Sequence, residues 1–326
     1  MTEAALPPGV DESSTPNGDP RRLVQLFAEI GKRVEFPSGP LVIALSGGAD
    51  SAAAAWLLAR EERVTRAVHV NHSLPHSSRM AEAARGISTE LGMDLAEVSI
   101  HPGAESEDAM RTARYRALAD RSRPDEVVIT AHTADDQAET VLHNLLRGAG
   151  LDGMAGIPPR RGRFHRPLLG VWRSETRELA TLSGLPWEDD PQNDDPRYLR
   201  NRIRRRLIPQ LEAEYQPRLR EVLVRMSSLA GADLSHLEAL AARTPIRTCA
   251  DGTVELSCAR LADLSSPISS RVVRQALRRV RGPHAGSEAE VQRVLEVARG
   301  EKRRTELEGG VVVIRSGDRL LLAGGG

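Results

Sequence analysis

The order of features between residues 41 and 60 constrains this chain most. An apolar run, Leu41-Val42-Ile43-Ala44-Leu45, is followed by Ser46-Gly47-Gly48-Ala49-Asp50-Ser51 and then by a helical pattern from Ala52 to Arg60. A glycine-rich turn between a buried strand and a helix start makes an anion cradle. Its glycines let the backbone approach a phosphate, the N–H groups of the first helical turn point at it, and the helix dipole favours negative charge there. The kinase-type phosphate loop is excluded: it needs a Lys followed by Ser or Thr after its second Gly, and Lys32 and Lys302 are the only lysines. Ser46 and Ser51 can donate hydroxyl hydrogen bonds to phosphate oxygens. Asp50, a poor phosphate neighbour on its own, suits a hard cation that takes oxygen ligands. The plainer alternative is a helix start with Ser and Asp caps and turn glycines.

From Arg21 to about Arg123 short apolar runs alternate with helical patterns. Helices are expected at 22–33, 51–60, 79–91, 107–121 and 134–147, and strands at 41–45, 66–70, 94–100 and 126–130. This alternation implies right-handed crossovers and a parallel sheet, of the five-stranded type, covered by helices on both faces. Ligands of such sheets sit beyond the carboxyl ends of the strands. Four segments are expected there: the 46–51 loop, Asn71-His72, Ile100-His101-Pro102 and Ala131-His132-Thr133.

After Gly148 the pattern loosens into a Gly/Pro/Arg-rich stretch through Leu168 and an acidic loop, Glu188 to Asp195. Helical periodicity returns at Arg197 and is expected to break at Pro209 before running to about Ala242. The last segment reads as a small α+β module: a strand at 253–256, helices at 269–279 and 287–299, and a hairpin turning at Ser316-Gly317-Asp318. The expected organisation is a flexible tail at 1–20, a catalytic domain at 21–212, a helical linker at 213–242 and the module at 243–326.

A chain of 326 residues is long enough for two domains. Lys plus Arg and Asp plus Glu are 45 each, so total charge argues for no uniform attraction to nucleic acid. Cys249 and Cys258 form no C-x-x-C pair, which argues against a zinc site, a disulfide scaffold or sulfur transfer. The first twenty residues, with Pro7, Pro8, Pro16 and Pro20, lack the basic start and apolar core of a signal peptide. No apolar stretch approaches the ~18 residues of a membrane span. A cytoplasmic protein without a membrane partner is expected.

Three clusters stand out. In Thr130-Ala-His-Thr-Ala-Asp-Asp-Gln-Ala-Glu-Thr140, Thr133 can cap a helix whose first turns carry Asp135, Asp136 and Glu139. Acids at a helix start suit the dipole alone, and three of them at the sheet edge also suit a cationic substrate or magnesium. Arg111 and Arg114 share one helical face, either solvated or reaching phosphate. Six of the ten residues from Arg197 to Arg206 are arginine, with Tyr198 beside them. That block fits a phosphate backbone; the acidic residues 188–195 just before it offer a salt-bridged surface instead.

S-G-G-x-D-S between a strand and a helix resembles the PP-loop of ATP pyrophosphatases, which cut ATP between the α and β phosphates. With Val70-Asn71-His72, Ala113-Arg114-Tyr115, Ala131-His132, Asp135-Asp136-Gln137-Ala138-Glu139-Thr140, Arg147-Gly148-Ala149-Gly150, Arg166-Pro167-Leu168-Leu169 and Arg200-Asn201-x-Ile203-Arg204, the chain resembles the bacterial tRNA(Ile)-lysidine synthetases over roughly residues 38 to 212. The last segment is similar, more weakly, to that family's small tRNA-binding domain. Thr133 departs from the His or Asn common at its position, and the chain resembles the short members that lack an extra carboxyl-terminal domain.

The resemblance implies ATP and Mg²⁺ as cofactors, with free L-lysine and a CAU-anticodon tRNA(Ile) as partners, and it leaves room for a homodimer. The wobble cytidine's C2 oxygen would attack the α-phosphate and lysine would then displace AMP. Ser46, Gly47, Gly48, Ala49, Asp50, Ser51 and Asn71 would bind the nucleotide, Asp50 placing the metal. Asp50, Arg114, His132, Asp136 and Glu139 would form the catalytic set, Arg114 on the phosphates and Asp136 and Glu139 on the lysine ammonium groups. Arg200, Asn201, Arg204 and Arg205 would bind the tRNA or the activated intermediate. Two other readings are open: another PP-loop acceptor, through an amide ligase or tRNA thiolase, or a nucleotide-responsive binding protein without turnover.

Overall fold

The computed structural model describes residues 19–61, 63, 66–72, 77–100, 107–190, 195–282 and 285–324. The expected tail at 1–20 falls almost wholly outside them, as do His101 and Pro102. Two compact units divide the chain, Met1–Leu229 and Ala230–Gly326.

The first unit runs α1 (Pro20–Gly31), β1 (Leu41–Ala44), α2 (Ala49–Arg60), β2 (Arg66–Asn71), α3 (Ser77–Glu90), β3 (Asp94–Ser99), α4 (Glu107–Arg121), β4 (Val127–Ile129) and α5 (Ala134–Leu146). It continues through α6 (Leu151–Met154), β5 (Arg160–Arg161), β6 (Phe164–His165), α7 (Arg173–Leu182), α8 (Leu199–Arg202) and α9 (Ile208–Glu214). Helix α10 (Leu219–Ala242) passes from the first unit into the second. The sheet order is β3-β2-β1-β4-β6-β5, parallel except for the short β5 at the edge. After β3 the chain crosses to the other side of β1. β1 and β4 therefore flank the switch point, where such sheets take their ligands.

Both faces of β1 are buried. Leu41 and Ile43 pack with α1 and with Ala52–Ala55 of α2, all fully buried, and Val42 packs with Val68, Val128 and Leu118 of α4. Four alanines in succession let α2 lie close on the sheet. Trp56 then fills the space toward Phe27, edge to face at 5.5 Å.

The structure corrects two expectations. The stretch from Gly148 to Leu168 is not simply irregular, because its β5–β6 hairpin lays β6 parallel against β4, Val128 opposite Phe164. Nor does Pro209 break the helix. The turn Ile203–Leu207 widens to a π-helix, Ile208 N–H reaching Ile203 O, and that width relieves the clash a proline ring makes with the carbonyl four residues back. The break comes instead between Glu214 and Leu219, around Pro217.

The second unit holds β7 (Arg247–Thr248), β8 (Val254–Ser257), α11 (Cys258–Ala262), α12 (Ser266–Arg281), α13 (Glu288–Arg299), β9 (Arg304–Glu306), β10 (Val312–Ser316) and β11 (Arg319–Ala323). Its antiparallel sheet, β7-β8-β11-β10-β9, packs Val254, Leu256, Val313, Leu320 and Leu322 against α12 and α13. The hairpin pairs Ser316 with Arg319 across a two-residue turn at Gly317-Asp318.

Candidate active site

The 46–51 loop joins β1 to α2. Gly47 has φ +91° and a Cβ there would lie 2.2 Å from the Met80 carbonyl oxygen, so the loop closes on α3 only with glycine at this place. Gly48 caps α2 without any side-chain bond to the first N–H groups, which leaves Ala49 and its neighbours at an uncapped helix start. Ser46 Oγ donates to Ser51 Oγ at 3.0 Å, and Ser51 donates to Gly48 O at 2.9 Å. Both hydroxyls are thus engaged within the loop itself.

Asp50 lies in the first turn of α2. Its Oδ1 accepts the Thr176 hydroxyl, and among the described residues its Oδ2 has only Arg173 Nε at 3.6 Å, beyond hydrogen-bond range. Burial and the facing Asp136 carboxylate push its pKa up to about 6, against the pull of Arg173 and Thr176. Asn71 ends β2 at the same edge of the sheet, its carbonyl accepting Ile100 N–H.

The acidic helix start is built differently. Thr133, fully buried, caps α5: its N–H and hydroxyl both donate to Asp136 Oδ2, at 2.8 and 3.1 Å. Arg173 then ties the acids together. Its N–H donates to Asp135 at 2.8 Å, Nη2 to Asp136 at 2.9 Å and Nη1 to Glu139 at 3.1 Å. Arg200 adds bonds to Asp136 and Glu139, Arg204 Nε lies 3.7 Å from Glu139, and Arg220 Nε lies 3.6 Å from Asp135. Burial would raise the Asp136 pKa, but Arg173 and Arg200 hold it far below the usual carboxylate range. Three carboxylates of α5 thus meet four arginines.

The arginine block does not present one uniform face. Arg200 and Arg204 turn inward to α5, where their ion-pair partners among the described residues are Asp136 and Glu139 and not the acidic residues 188–195. Arg197 does pair with the acidic loop, at Asp195, and Asn201 donates to the Asp195 carbonyl. Arg205 is exposed on the π turn.

A third group is cationic. Arg114 Nε donates to His72 Nε2 at 3.1 Å. Burial, then Arg114 and His69, bring the His72 pKa down to about 4. His132, beside Thr130 Oγ1 at 3.1 Å, is held at about 3 by burial and by Arg166, Arg111 and Arg200, against Asp136. Both imidazoles are neutral at physiological pH.

Helix α7 was not foreseen, and with it Arg173 and Thr176. Glu175 accepts the Trp172 N–H at 2.8 Å and Gly184 follows the last turn with φ +70°. Acid at the third position and Gly just past the end are start and stop signals legible in the sequence. Among the described residues no three His, Cys, Asp or Glu side chains are grouped to hold a metal ion. No helix among them is long and apolar enough to cross a membrane.

A family model described as a PP-loop domain matches residues 19–211. The tRNA(Ile)-lysidine synthase of Streptomyces coelicolor is 38% identical over 89% of this chain and 87% of its own length. That of Leifsonia xyli is 38% identical over 73% of this chain and 76% of its own. Among solved structures, a U34-tRNA thiolase from Methanococcus maripaludis superposes with a TM-score of 0.52 at 18% identity, covering 63% of this chain and 78% of that one, which is a likeness of fold. A PP-loop, its uncapped helix start and the matched length of these relatives agree: the chain belongs to the tRNA(Ile)-lysidine synthase family and is an ATP-dependent ligase.

Proposed function

We propose that this chain joins free lysine to C2 of the wobble cytidine in a CAU-anticodon tRNA(Ile), cleaving ATP to AMP and pyrophosphate, so that the codon read changes from AUG to AUA. The C2 carbonyl oxygen attacks the α-phosphate and pyrophosphate leaves; an amine of lysine then attacks C2 and AMP leaves with that oxygen. The reaction belongs in the cytoplasm, with its tRNA.

One observation carries the reading. An open helix start for an anion and a helix start crowded with carboxylates share one edge of the sheet, at the strand switch point. The loop amides, Ser46, Ser51 and Arg114 stabilise charge on the phosphates. Asp50 fits Mg²⁺, which characteristically takes one or two carboxylates plus phosphate oxygens: its Oδ2 accepts no hydrogen bond among the described residues and its negative charge is under-compensated. Bound there, the metal would neutralise charge developing on the transferring phosphate.

Asp136 and Glu139 receive a lysine ammonium by exchange and not by addition. Their negative charge is already matched by Arg173, Arg200 and Arg204, so an incoming cation displaces a guanidinium. The displaced arginine, with Arg205 and Asn201, is then available to the RNA.

The test is incubation with ATP, Mg²⁺, radiolabelled lysine and a CAU-anticodon tRNA(Ile) transcript. Label in the RNA at one AMP per lysine is expected, and none when the wobble cytidine is replaced by uridine. Absence of label from the matching transcript ends the reading.

A further inference from the structure

Arg111, Arg114 and Arg166 stand apart from the paired arginines around α5. Among the described residues none of them bonds a carboxylate, although Arg166 is 3% exposed and Arg111 is half-buried. Asp190 acts on Arg114 through space, raising its pKa against the burial that lowers it. A guanidinium taken out of water without a counter-charge is costly. Here two of them converge: Arg166 Nη2 and Arg111 Nη2 lie 3.2 and 3.5 Å from the Tyr115 hydroxyl. Arg166 Nη1 is spent on Pro158 O, and its Nε has no partner among the described residues. Burial, then the neighbouring Arg200, Arg166 and Arg161, lower the Arg111 pKa, a sign of positive charges crowded together.

The Tyr115 ring is taken. Arg111 lies 5.0 Å and Arg166 5.9 Å from its centroid, and Phe164 meets it edge-on at 4.7 Å, so little ring is left for a base to stack on. What remains is the hydroxyl end, whose O–H donates to nothing among the described residues, with the Arg111 guanidinium and the unpartnered Nε of Arg166 near it. That donor set matches a phosphate, which accepts in forked geometry, and not an apolar or cationic ligand.

We propose that Arg111, Tyr115 and Arg166 form a phosphate-binding subsite beside His132, and that it takes a backbone phosphodiester of the RNA substrate. The choice of RNA rests on the function proposed above. It is favoured over the nucleotide because Arg166 follows β6, two strands from β1 and its loop, about 9–10 Å at ordinary strand spacing. A phosphodiester next to the reacting cytidine, held here, would set the base against His132 at the end of β4.

The full chain, its Arg111→Gln and its Arg111→Lys variants are titrated with the CAU-anticodon tRNA(Ile) transcript across a range of salt, and separately with Mg²⁺ and a non-hydrolysable ATP analogue. Arg111→Gln is expected to weaken RNA binding about tenfold at low salt and to flatten the logarithmic salt slope by about 1, the loss of one phosphate contact. Arg111→Lys, which keeps the charge and loses the fork, restores the slope while affinity stays below wild type. Analogue binding is expected within twofold of wild type in both. Loss of analogue binding with RNA affinity intact would keep the phosphate subsite and overturn its assignment to RNA. Unchanged binding of both ligands in Arg111→Gln, with thermal stability retained, overturns the subsite. If Arg111→Gln loses stability, the slope of Arg111→Lys against wild type decides alone: a slope as shallow as one lost contact overturns the charge argument. Failure of the wild-type chain itself to bind this RNA would overturn the functional reading first, and the RNA assignment with it.

Discussion

Two helix starts lie at the same sheet edge and are finished in opposite ways. At α2, Gly48 leaves the first N–H groups without a side-chain cap, and Asp50 is short of positive charge. At α5, Thr133 and Asp136 cap each other and Arg173, Arg200, Arg204 and Arg220 cover every acid. The first is open to a phosphate and a cation. The second has its acids already paired and admits a cation only by releasing one. Similar ingredients, acids at a helix N-terminus, thus serve binding in one place and exchange in the other, and the deciding factor is the arginines contributed by distant segments.

The largest effect should follow from breaking the open half. Asp50→Ala is expected to lower AMP formation on the order of a thousandfold, with RNA retention on a filter close to wild type; turnover at the wild-type rate would refute the role given to Asp50. In the closed half, Arg173→Met strips Asp136 and Glu139 of their shared guanidinium, while the backbone N–H at 173 stays on Asp135. Denaturant unfolding should show a loss of about 3–5 kcal/mol, with Arg173→Lys intermediate because it keeps the charge but cannot fork.

The signs of the two aspartates separate the halves more finely. An unfolded Asp titrates near 3.9. Asp50 titrates at about 6, so its charge costs the fold stability above pH 6, and that cost fades as pH falls toward 4. Asp136 is shifted the other way, so its charge stabilises the fold above the unfolded value and the contribution is lost as pH falls below it. Asp50→Asn should therefore raise the unfolding free energy at pH 8 by on the order of 1–3 kcal/mol and leave it unchanged at pH 4, whereas Asp136→Asn should lower it at pH 8. Two aspartates with the same sign would collapse the contrast. The smallest effect is expected at Arg205→Glu, exposed on the π turn: RNA affinity should lose about one unit of salt slope, with AMP formation at saturating RNA unaltered.

Much of the open half was legible because its determinants are local. Strand, glycines and helix start follow one another within twenty residues, and the Thr133 cap is read from a spacing of three. The closed half was legible only as a set of acids. Arg173 meets Asp136 and Glu139 from 37 and 34 residues away, and no periodicity announces such a partner. Helix α7 carries a weak periodic signal, its buried residues being only Thr176, Leu179 and Ala180, and Glu175 and Gly184 mark its ends more clearly. Pro209 misled for a physical reason: a local rule was met by a wider turn. The arginine block was recognised as charge, but whether Arg200 and Arg204 face solvent or α5 depends on how that turn is wound.

The order of events tests the account most directly. ATP labelled at the α-phosphate is mixed with Mg²⁺, the full chain and the CAU-anticodon transcript, without lysine, and the RNA is separated. Label is predicted on the RNA, released as AMP when lysine is added. Label on lysine, or none on the RNA before lysine arrives, would contradict the adenylation of the base at the open helix start.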